Sequence, residues 1–300
     1  METMYLNYFT HDSSFPFFIQ YGYHDTDLFI HDHADFSELL IVLNGTAIHK
    51  VNNESYFIKK GDVFVINHRT VHGFVNTNDF HICNIMFRPE HLQSLDFDIR
   101  KSAGYHALFV IEPYLTMERN FQSRLKLQLT EFEQVSNFIA SMIKEYDMKT
   151  DGWKTILNSY FMMLVVLLSR SYSLPSSEMK SEVINIAKSV SYIEKNYTNP
   201  ISIEMLAKMS NLSVRHFTRI FRDTYQTSPG NYINNLKMQH ACMLLTKTTL
   251  NISEVAFQSG FSDSNYFTRQ FKKHFQVTPK EYRNQEKTTE VIRVIHQQFV

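Results

Sequence analysis

The sequence predicts a two-domain α+β protein, in which an antiparallel β domain with a helical extension precedes an all-α domain. Residues 28–88 alternate short β-branched and aromatic runs with turn residues, which is typical of closely spaced strands. From Thr130 onward, apolar residues recur at intervals of three and four, which indicates amphipathic helices. A helical segment in the second half also occurs twice. A chain of 300 residues is long enough to bury the cores of two such domains.

Short strands separated by turns are predicted in the first domain, which we expect to span about residues 1–120. The turn groups Asn44-Gly45, Asn52-Asn53 and Lys60-Gly61-Asp62 separate apolar runs and favour tight connections. This spacing indicates an antiparallel barrel or a jelly roll. The predicted strands cover residues 39–43, 47–51, 56–58, 63–66 and 81–87.

Two long amphipathic helices are predicted to follow, over about residues 130–170. They either cover the barrel or pair with their counterparts in a second subunit. The first apolar face comprises Phe132, Val135, Ile139, Met142, Ile143 and Tyr146, and the second comprises Ile156, Leu157, Tyr160, Phe161, Leu164 and Leu168.

A polar segment that contains Pro175 is predicted to link the two domains. We therefore assign residues 1–170 to the first domain, 171–182 to the linker, 183–287 to the second domain and 288–300 to a tail.

Charge is divided unevenly between the two halves. Residues 1–179 carry 14 Lys and Arg against 21 Asp and Glu, and residues 180–300 carry 16 against 9, so net charges of −7 and +7 cancel. A basic second half favours a polyanionic partner, although solvated helix faces give the same sum. The longest apolar run, Tyr160 to Leu168, is too short for a bilayer span, and Cys83 and Cys242 make no disulfide framework. We expect a soluble, cytoplasmic protein.

The repeat in the second half has the parts of a helix-turn-helix unit. Residues 203–232 match residues 252–282, with one residue inserted in the second copy. Ala207 and Ala256 are small enough for two helices to cross closely, and Asn211 and Gly260 tolerate the left-handed backbone that ends a helix. Predicted caps of later helices are Ser213, Ser262 or Asp263, Ser228-Pro229 and Thr278-Pro279, and a helix from Pro229 to about Thr246 joins the units.

Each predicted recognition helix has one apolar and one polar face. Phenylalanines recur at core spacing, so they are assigned to packing rather than to base stacking. Arginine suits guanine and asparagine suits adenine, so Arg215, Arg219, Asn265 and Arg269 are the preferred base readers. A solvated or phosphate-paired side chain is the alternative for each. The candidate DNA-binding residues are Arg215, Thr218, Arg219, Arg222, Ser264, Asn265, Thr268, Arg269 and Lys272.

The second copy resembles the signature of the AraC/XylS family of bacterial transcription regulators. The likeness rests on Gly260-Phe261-Ser262-Asp263-Ser264-Asn265-Tyr266-Phe267-Thr268-Arg269-Gln270-Phe271-Lys272, followed by Thr278-Pro279-Lys280-Glu281-Tyr282-Arg283. It implies two recognition helices that enter successive major-groove segments on one face of the DNA, roughly 34 Å apart. It also implies homodimers, and RNA polymerase as a partner if the protein is an activator.

A histidine and glutamate motif marks the first domain. His31, His33 and Glu38, followed by Gly45, Gly61 and His72, resemble the sequence motifs of the cupin barrel, although Asn67-x-Arg69 replaces the usual Pro-x-Gly. Three imidazoles and a carboxylate suit a divalent metal. The same four residues could instead contact an effector without metal, or be structural.

Further likeness in the first domain is to the rhamnose-responsive regulators of this family. Residues 35–49, 60–66 and 103–109 carry it, and it implies a sugar effector. The leading hypothesis is therefore a sequence-specific DNA-binding regulator controlled by a small molecule, not an enzyme. The alternatives are a metal-dependent cupin enzyme fused to a DNA-binding domain, and a regulator whose barrel serves only as a dimer scaffold.

Overall fold

The structure is a computed structural model that describes residues 2–52, 54–92, 98–118, 125–172 and 181–285. It divides into two compact units, Met1–Ser191 and Tyr192–Val300, and the division falls within helix α5 (Ser181–Asn196). The first unit contains a β-sheet and helices, and the second is helical. The predicted α+β class is therefore confirmed.

Two long strands organise the sheet of the first unit. Within the described residues the sheet has eight strands, antiparallel except for the parallel pair β1 and β3. The first half of β4 lies between β7 and β6, and its second half lies between β7 and β5. Strand β7 likewise pairs with β2 in its second half and with β3 in its first. The strands are β1 (Glu2–Met4), β2 (Phe17–His24), β3 (Leu28–His33), β4 (Ser37–Val51), β5 (Glu54–Lys59), β6 (Asp62–Ile66), β7 (His72–Phe87) and β8 (Leu125–Lys126).

Strand β4 continues through Asn44-Gly45, where the sequence predicts a turn. The predicted turn is wrong, and the register of β4 against β7 shifts at these residues. Gly45 has a φ of +72°, and a Cβ there would lie 1.9 Å from the carbonyl oxygen of Asp79. Only glycine allows the two backbones to approach this closely. The turns at Asn52 and at Gly61 are present, both with positive φ.

Apolar side chains from both parts of the bent sheet form its core. The side chains that enter this core alternate along β4, β6 and β7, whereas Ser37–Val42 and Asp62–Ile66 are buried on both faces of the sheet. Among the largest buried contributors are Leu40, Val42, Ile58, Phe64, Ile66, Phe74, Phe80 and Ile82.

Helices cover one side of this sheet. A helical segment comprises α1 (Ala103–Tyr105), a π-helical stretch (His106–Ile111) and α2 (Glu112–Glu118). It is followed by α3 (Leu129–Met148) and α4 (Trp153–Tyr172), which pack against each other. The ring of Phe161 in α4 lies 5.1 Å from that of Phe17 and 5.2 Å from that of Phe87. The two helices therefore cover the sheet, which is the first of the two alternatives that the sequence left open.

The predicted linker stays a prediction. Ser171 and Tyr172 are the last residues of α4, and Ser181 is the first of α5, whereas residues 173–180 lie outside the described residues. The predicted tail, 288–300, also lies outside them. No helix in the described residues is long and apolar enough to cross a membrane.

The second unit contains the two predicted helix-turn-helix units. The first consists of α6 (Ile203–Met209) and α7 (Val214–Tyr225), and the second of α9 (Ile252–Gln258) and α10 (Ser264–Phe275). Helix α8 (Pro229–Lys247) joins them, and α11 (279–285) follows. Ala207 and Ala256 are buried at 1% and 0% exposure, which fits the close crossing expected from small side chains.

Side chains cap these helices as the sequence predicts. The hydroxyl of Ser213 accepts a hydrogen bond from His216 N, and that of Ser228 accepts one from Asn231 N. The carboxylate of Asp263, rather than Ser262, caps α10. Asn211 and Gly260 have φ of +55° and +93° and end the first helix of each unit. The start of each recognition helix is therefore fixed locally.

Candidate functional sites

The four predicted residues of the first unit come together at the ends of three strands. His31 and His33 lie on β3, Glu38 lies near the start of β4, and His72 begins β7. His31 is paired directly with His72 across the sheet. Because alternate side chains share a face, His31 and His33 both point toward His72.

Distances within this His/Glu cluster are short. Nε2 of His72 lies 3.2 Å from Nε2 of His33 and 3.5 Å from Oε2 of Glu38, and Nε2 of His33 lies 3.6 Å from the same oxygen. The ring of His31 lies 4.4 Å from that of His72. One ligand atom from each of the four residues can be chosen so that all lie within 4.8 Å of one another.

Burial determines the protonation of the cluster. His33, His72 and Glu38 are 1%, 1% and 3% exposed, whereas His31 is half-buried. Desolvation lowers the pKa of His33 to about 3, lowers that of His72 well below its ordinary value, and raises that of Glu38 to about 8. At neutral pH the short contacts therefore join neutral groups and do not form an ion pair.

Buried polar atoms of the cluster lack hydrogen-bond partners. Nδ1 of His33, Nδ1 of His72 and Oε2 of Glu38 make no hydrogen bond with the residues that the structure describes. A buried polar atom without a partner costs free energy, so an ion, water or ligand bound beside Oε2 of Glu38 would stabilise this arrangement.

His49 is a fourth histidine beside this cluster, and the sequence analysis did not identify it. Its ring is fully buried on β4, stacks between Phe64 and Phe74 at 4.6 Å and 4.8 Å, and lies 5.7 Å from that of His72. Burial lowers its pKa to about 3. The alternation of Ala47, His49 and Val51 along β4 was the signal that could have placed it inside.

The recognition helices α7 and α10 separate an apolar face from a polar face. Phe217, Phe221, Phe267 and Phe271 are fully buried, and the rings of each pair lie 5.8 Å and 5.5 Å apart. The predicted packing role of these aromatic residues is therefore confirmed. The opposite faces are free to contact a ligand.

The nine candidate DNA-binding residues differ in exposure. Thr218, Ser264 and Thr268 are half-buried, and the hydroxyl of Thr268 donates to the carbonyl oxygen of Ser264 at 2.9 Å. The two threonines lie at the edge of the polar face, and so does Ser264. The exposed candidates are Arg215, Arg219, Arg222, Asn265, Arg269 and Lys272.

Two family models match the two parts of the chain. A model described as AraC-like ligand binding domain matches residues 14–144, and one described as helix-turn-helix domain matches residues 206–285. The chain is also 27% identical over 255 residues to the HTH-type transcriptional activator RhaS of Escherichia coli. The aligned region covers 84% of this chain and 86% of RhaS.

Solved structures are similar to this chain in part or at low identity. The C-terminal domain of the two-component response regulator yesN from Fusobacterium nucleatum is 35% identical, covering 31% of this chain and 90% of that one, with a TM-score of 0.30. Apo ToxT from Vibrio cholerae is 15% identical, covering 89% and 96%, with a TM-score of 0.34. The two family models and the likeness to RhaS therefore show an AraC-like ligand-binding domain followed by a DNA-binding helix-turn-helix domain, which is the domain organisation of an AraC-type transcriptional regulator.

Proposed function

We propose that this regulator binds one DNA sequence through α7 and α10, and that a small molecule bound in the first unit changes its affinity for that sequence. The observation that carries the proposal is the division of both recognition helices into a buried phenylalanine face and an exposed basic or amide face. An effector acts only if it binds two states of the protein with different affinity. A tenfold difference corresponds to about 1.4 kcal/mol, enough to change promoter occupancy.

Four exposed members of the candidate set are the proposed base readers. Arg215, Arg219 and Arg269 project from the polar faces and suit guanine, whereas Asn265 suits adenine. Arg222 and Lys272 lie later in their helices, where contact with phosphate is more frequent. Thr218, Ser264 and Thr268 line the edge of the same interface and contribute contacts to bases or sugar.

The His/Glu cluster is the effector site, and its donor set fits a divalent metal ion. Ligand atoms bound tetrahedrally at about 2.1 Å from a metal lie about 3.4 Å apart. The three atoms of His33, His72 and Glu38 are separated by 3.2, 3.5 and 3.6 Å. The lowered pKa values keep the imidazoles neutral at pH 7, the form that binds metal, whereas Glu38, whose pKa burial raises to about 8, must release its proton when the metal binds. His31 supplies a fourth ligand from the half-buried side.

A sugar is the proposed effector, and activation is the proposed response. The relative RhaS is named as a transcriptional activator, and the resemblance of residues 35–49 and 60–66 to rhamnose-responsive regulators supports a sugar ligand. An activator also requires RNA polymerase as a partner. We also propose a cytoplasmic location, which suits a regulator that binds DNA.

The protein acts as a homodimer in this proposal. The outer face of α3 and α4 carries a groove of about 520 Å³ lined by Phe138, Met162, Met163, Val166 and Leu167, and a second copy would cover it. Sedimentation of the purified chain, with Met163→Lys as the variant that should dissociate, tests this assignment. A monomer at micromolar concentration would contradict it.

Catalysis has no part in the proposed function. The relatives are transcriptional regulators, and the metal would hold an effector rather than turn it over. The alternative, a metal-dependent enzyme such as a dioxygenase or sugar isomerase, is tested by a turnover screen of the metal-loaded chain. Sustained product formation would contradict the proposal.

Variants of His33 in β3 and His72 in β7 test the effector site directly. We expect Zn²⁺ or Ni²⁺ to bind the full chain with a stoichiometry of one and to raise its melting temperature, because the ions bind only the folded cluster. His33→Ala and His72→Ala should each abolish this shift. His81→Ala is the matched control, because this histidine lies on the same strand as His72 but is 40% exposed.

The same variants separate the effector site from the DNA interface. With a panel of sugars that includes L-rhamnose, the wild type should change its affinity for a selected DNA site, and His72→Ala should bind that site without responding. An unchanged response in both cluster variants would assign these histidines to a structural role.

A further inference from the structure

We infer that the two helix-turn-helix units read different bases, the first reading guanine through Arg215 and Arg219 and the second reading an A·T pair through Asn265 and Tyr266. The inference rests on the proposed DNA interface and names the kind of sequence it selects. It adds Tyr266 to the residues that contact bases, and it makes the binding site asymmetric.

Tyr266 is a large aromatic residue that the fold leaves exposed. Its side chain is 46% exposed, while its neighbour Phe267 is fully buried in the core of the unit. Among the described residues, its ring contacts that of Phe261 in a tilted arrangement, with 6.5 Å between the centroids. Its backbone N–H donates a hydrogen bond to Oδ1 of Asp263, which caps α10. Its hydroxyl has no hydrogen-bond partner among the described residues. Packing within the unit therefore does not explain this side chain.

The position of Tyr266 places it beside the base readers. It is the third residue of α10, in the turn that contacts base edges in helix-turn-helix proteins. Successive residues are about 100° apart around a helix, so Asn265 and Tyr266 flank Arg269, which follows them by four and three positions. All three are exposed and lie on the side opposite Phe267 and Phe271. An aromatic ring here faces whatever Asn265 and Arg269 contact.

The corresponding residues of the first unit have different chemistry. In the internal repeat Asn265 and Tyr266 match Arg215 and His216. Arginine donates two hydrogen bonds to O6 and N7 of guanine, and asparagine pairs with N6 and N7 of adenine. An apolar surface contacts the methyl group of thymine. Tyr266 can therefore contact the thymine of the base pair whose adenine Asn265 reads.

A selection experiment with the full chain tests the asymmetry. Random duplexes selected by the wild type should contain a guanine-bearing segment and, about one helical turn away, a segment with a fixed A·T pair. Asn265→Arg should replace adenine by guanine at one position of the second segment alone, and Arg215→Asn should replace guanine by adenine in the first segment alone. Two identical segments, or swaps that leave both segments unchanged, would overturn the inference.

Thymine-to-uracil substitution tests the role of Tyr266. Removing the methyl group of the fixed thymine should weaken wild-type binding about tenfold and leave Tyr266→Ala unaffected, while Tyr266→Phe should behave as the wild type. Phe257→Ala is the matched control, because this aromatic residue of α9 is 59% exposed. An equal loss on random DNA, or a loss in Tyr266→Phe as large as in Tyr266→Ala, would assign the residue to phosphate contact and overturn its reader role.

The outcomes separate this inference from the proposed function. A wild-type chain that selects no sequence overturns both. A well-defined selected site that does not depend on Asn265 or Tyr266 overturns only the inference. The uracil comparison in the wild type needs no variant, so a folding defect in Tyr266→Ala does not prevent the test.

Discussion

Replacing Glu38 by glutamine tests the electrostatic account of the His/Glu cluster in metal-free protein. Burial raises the pKa of Glu38 from 4.5 to about 8. Between these values the folded state holds one proton more than the unfolded chain, so the free energy of unfolding falls as pH rises and levels off above pH 8. Glutamine does not titrate, and Glu38→Gln should lose this pH dependence.

The size of the effect follows from the same pKa. Each pH unit inside the window costs about 1.4 kcal/mol, and the titration is complete about one unit above the folded pKa, so the wild type should lose about 1.4 kcal/mol relative to Glu38→Gln between pH 7 and pH 9. Burial lowers the pKa of His33 from 6.5 to about 3, so below pH 6.5 the unfolded chain holds more protons than the folded protein and the free energy of unfolding falls as the pH falls. This effect lies below the range from pH 7 to pH 9. The comparison of the wild type with Glu38→Gln isolates Glu38 in this range, because other groups with shifted pKa values, such as the buried thiol of Cys83, are present in both proteins.

Urea unfolding followed by tryptophan fluorescence measures the difference. Trp153 is the single tryptophan of the chain and lies at the start of α4, so its emission reports the first unit. The measurement is made with a chelator present, and Glu133→Gln, which changes an exposed carboxylate of α3, is the control. Parallel pH profiles for the wild type and Glu38→Gln would refute the reasoning.

Two further predictions concern the second unit. Arg269→Ala should weaken binding to the selected DNA by about 1–3 kcal/mol and relax one base position, whereas Lys272→Ala should lower the affinity for all sequences more evenly. Mobility shifts on selected and random duplexes measure both effects. Equal losses of affinity on the two kinds of duplex for Arg269→Ala would refute its reader role. Gly260→Ala should lower thermal stability by more than about 1 kcal/mol, because its Cβ would lie 2.6 Å from a backbone Cα at a φ of +93°. Gly230 lies in helix α8, where an added Cβ would meet no atom within 4 Å, so Gly230→Ala should instead raise the melting temperature. Equal melting temperatures for the two variants would contradict this prediction.

The helix-turn-helix region was predictable from sequence because its determinants are local. Ser213 and Ser228 cap the helices that follow them, and Asn211 and Gly260 adopt the positive φ that their residue types allow. Helix α8 ends at Lys247, one residue beyond its predicted end. Each signal lies within a few residues of the feature it specifies.

The first unit was less predictable because long-range pairing determines it. Asn44-Gly45 has the sequence of a tight turn, but the pairing of β4 with β7 on both sides of it keeps the strand continuous. Strand β2 and the helical segment over residues 103–118 were not predicted, since Gly22 and the apolar run at 107–111 give no clear period.

The candidate cluster was predictable in its members but not in its geometry. The spacing of His31, His33 and Glu38 suggested convergence, and His72 does arrive from a neighbouring strand. His49 was missed because a single histidine within an apolar strand gives no motif. Nothing in the sequence indicates that Phe64 and Phe74 enclose its ring.

Footprinting of the full chain on its selected duplex tests the central claim most directly. We expect protection of two successive major-groove segments on one face of the DNA, about 34 Å apart, with protection of the first segment weakened in Arg219→Ala and that of the second weakened in Arg269→Ala. Protection of a single segment, or uniform protection that both variants leave unchanged, would contradict the assignment of α7 and α10 as the two helices that read DNA.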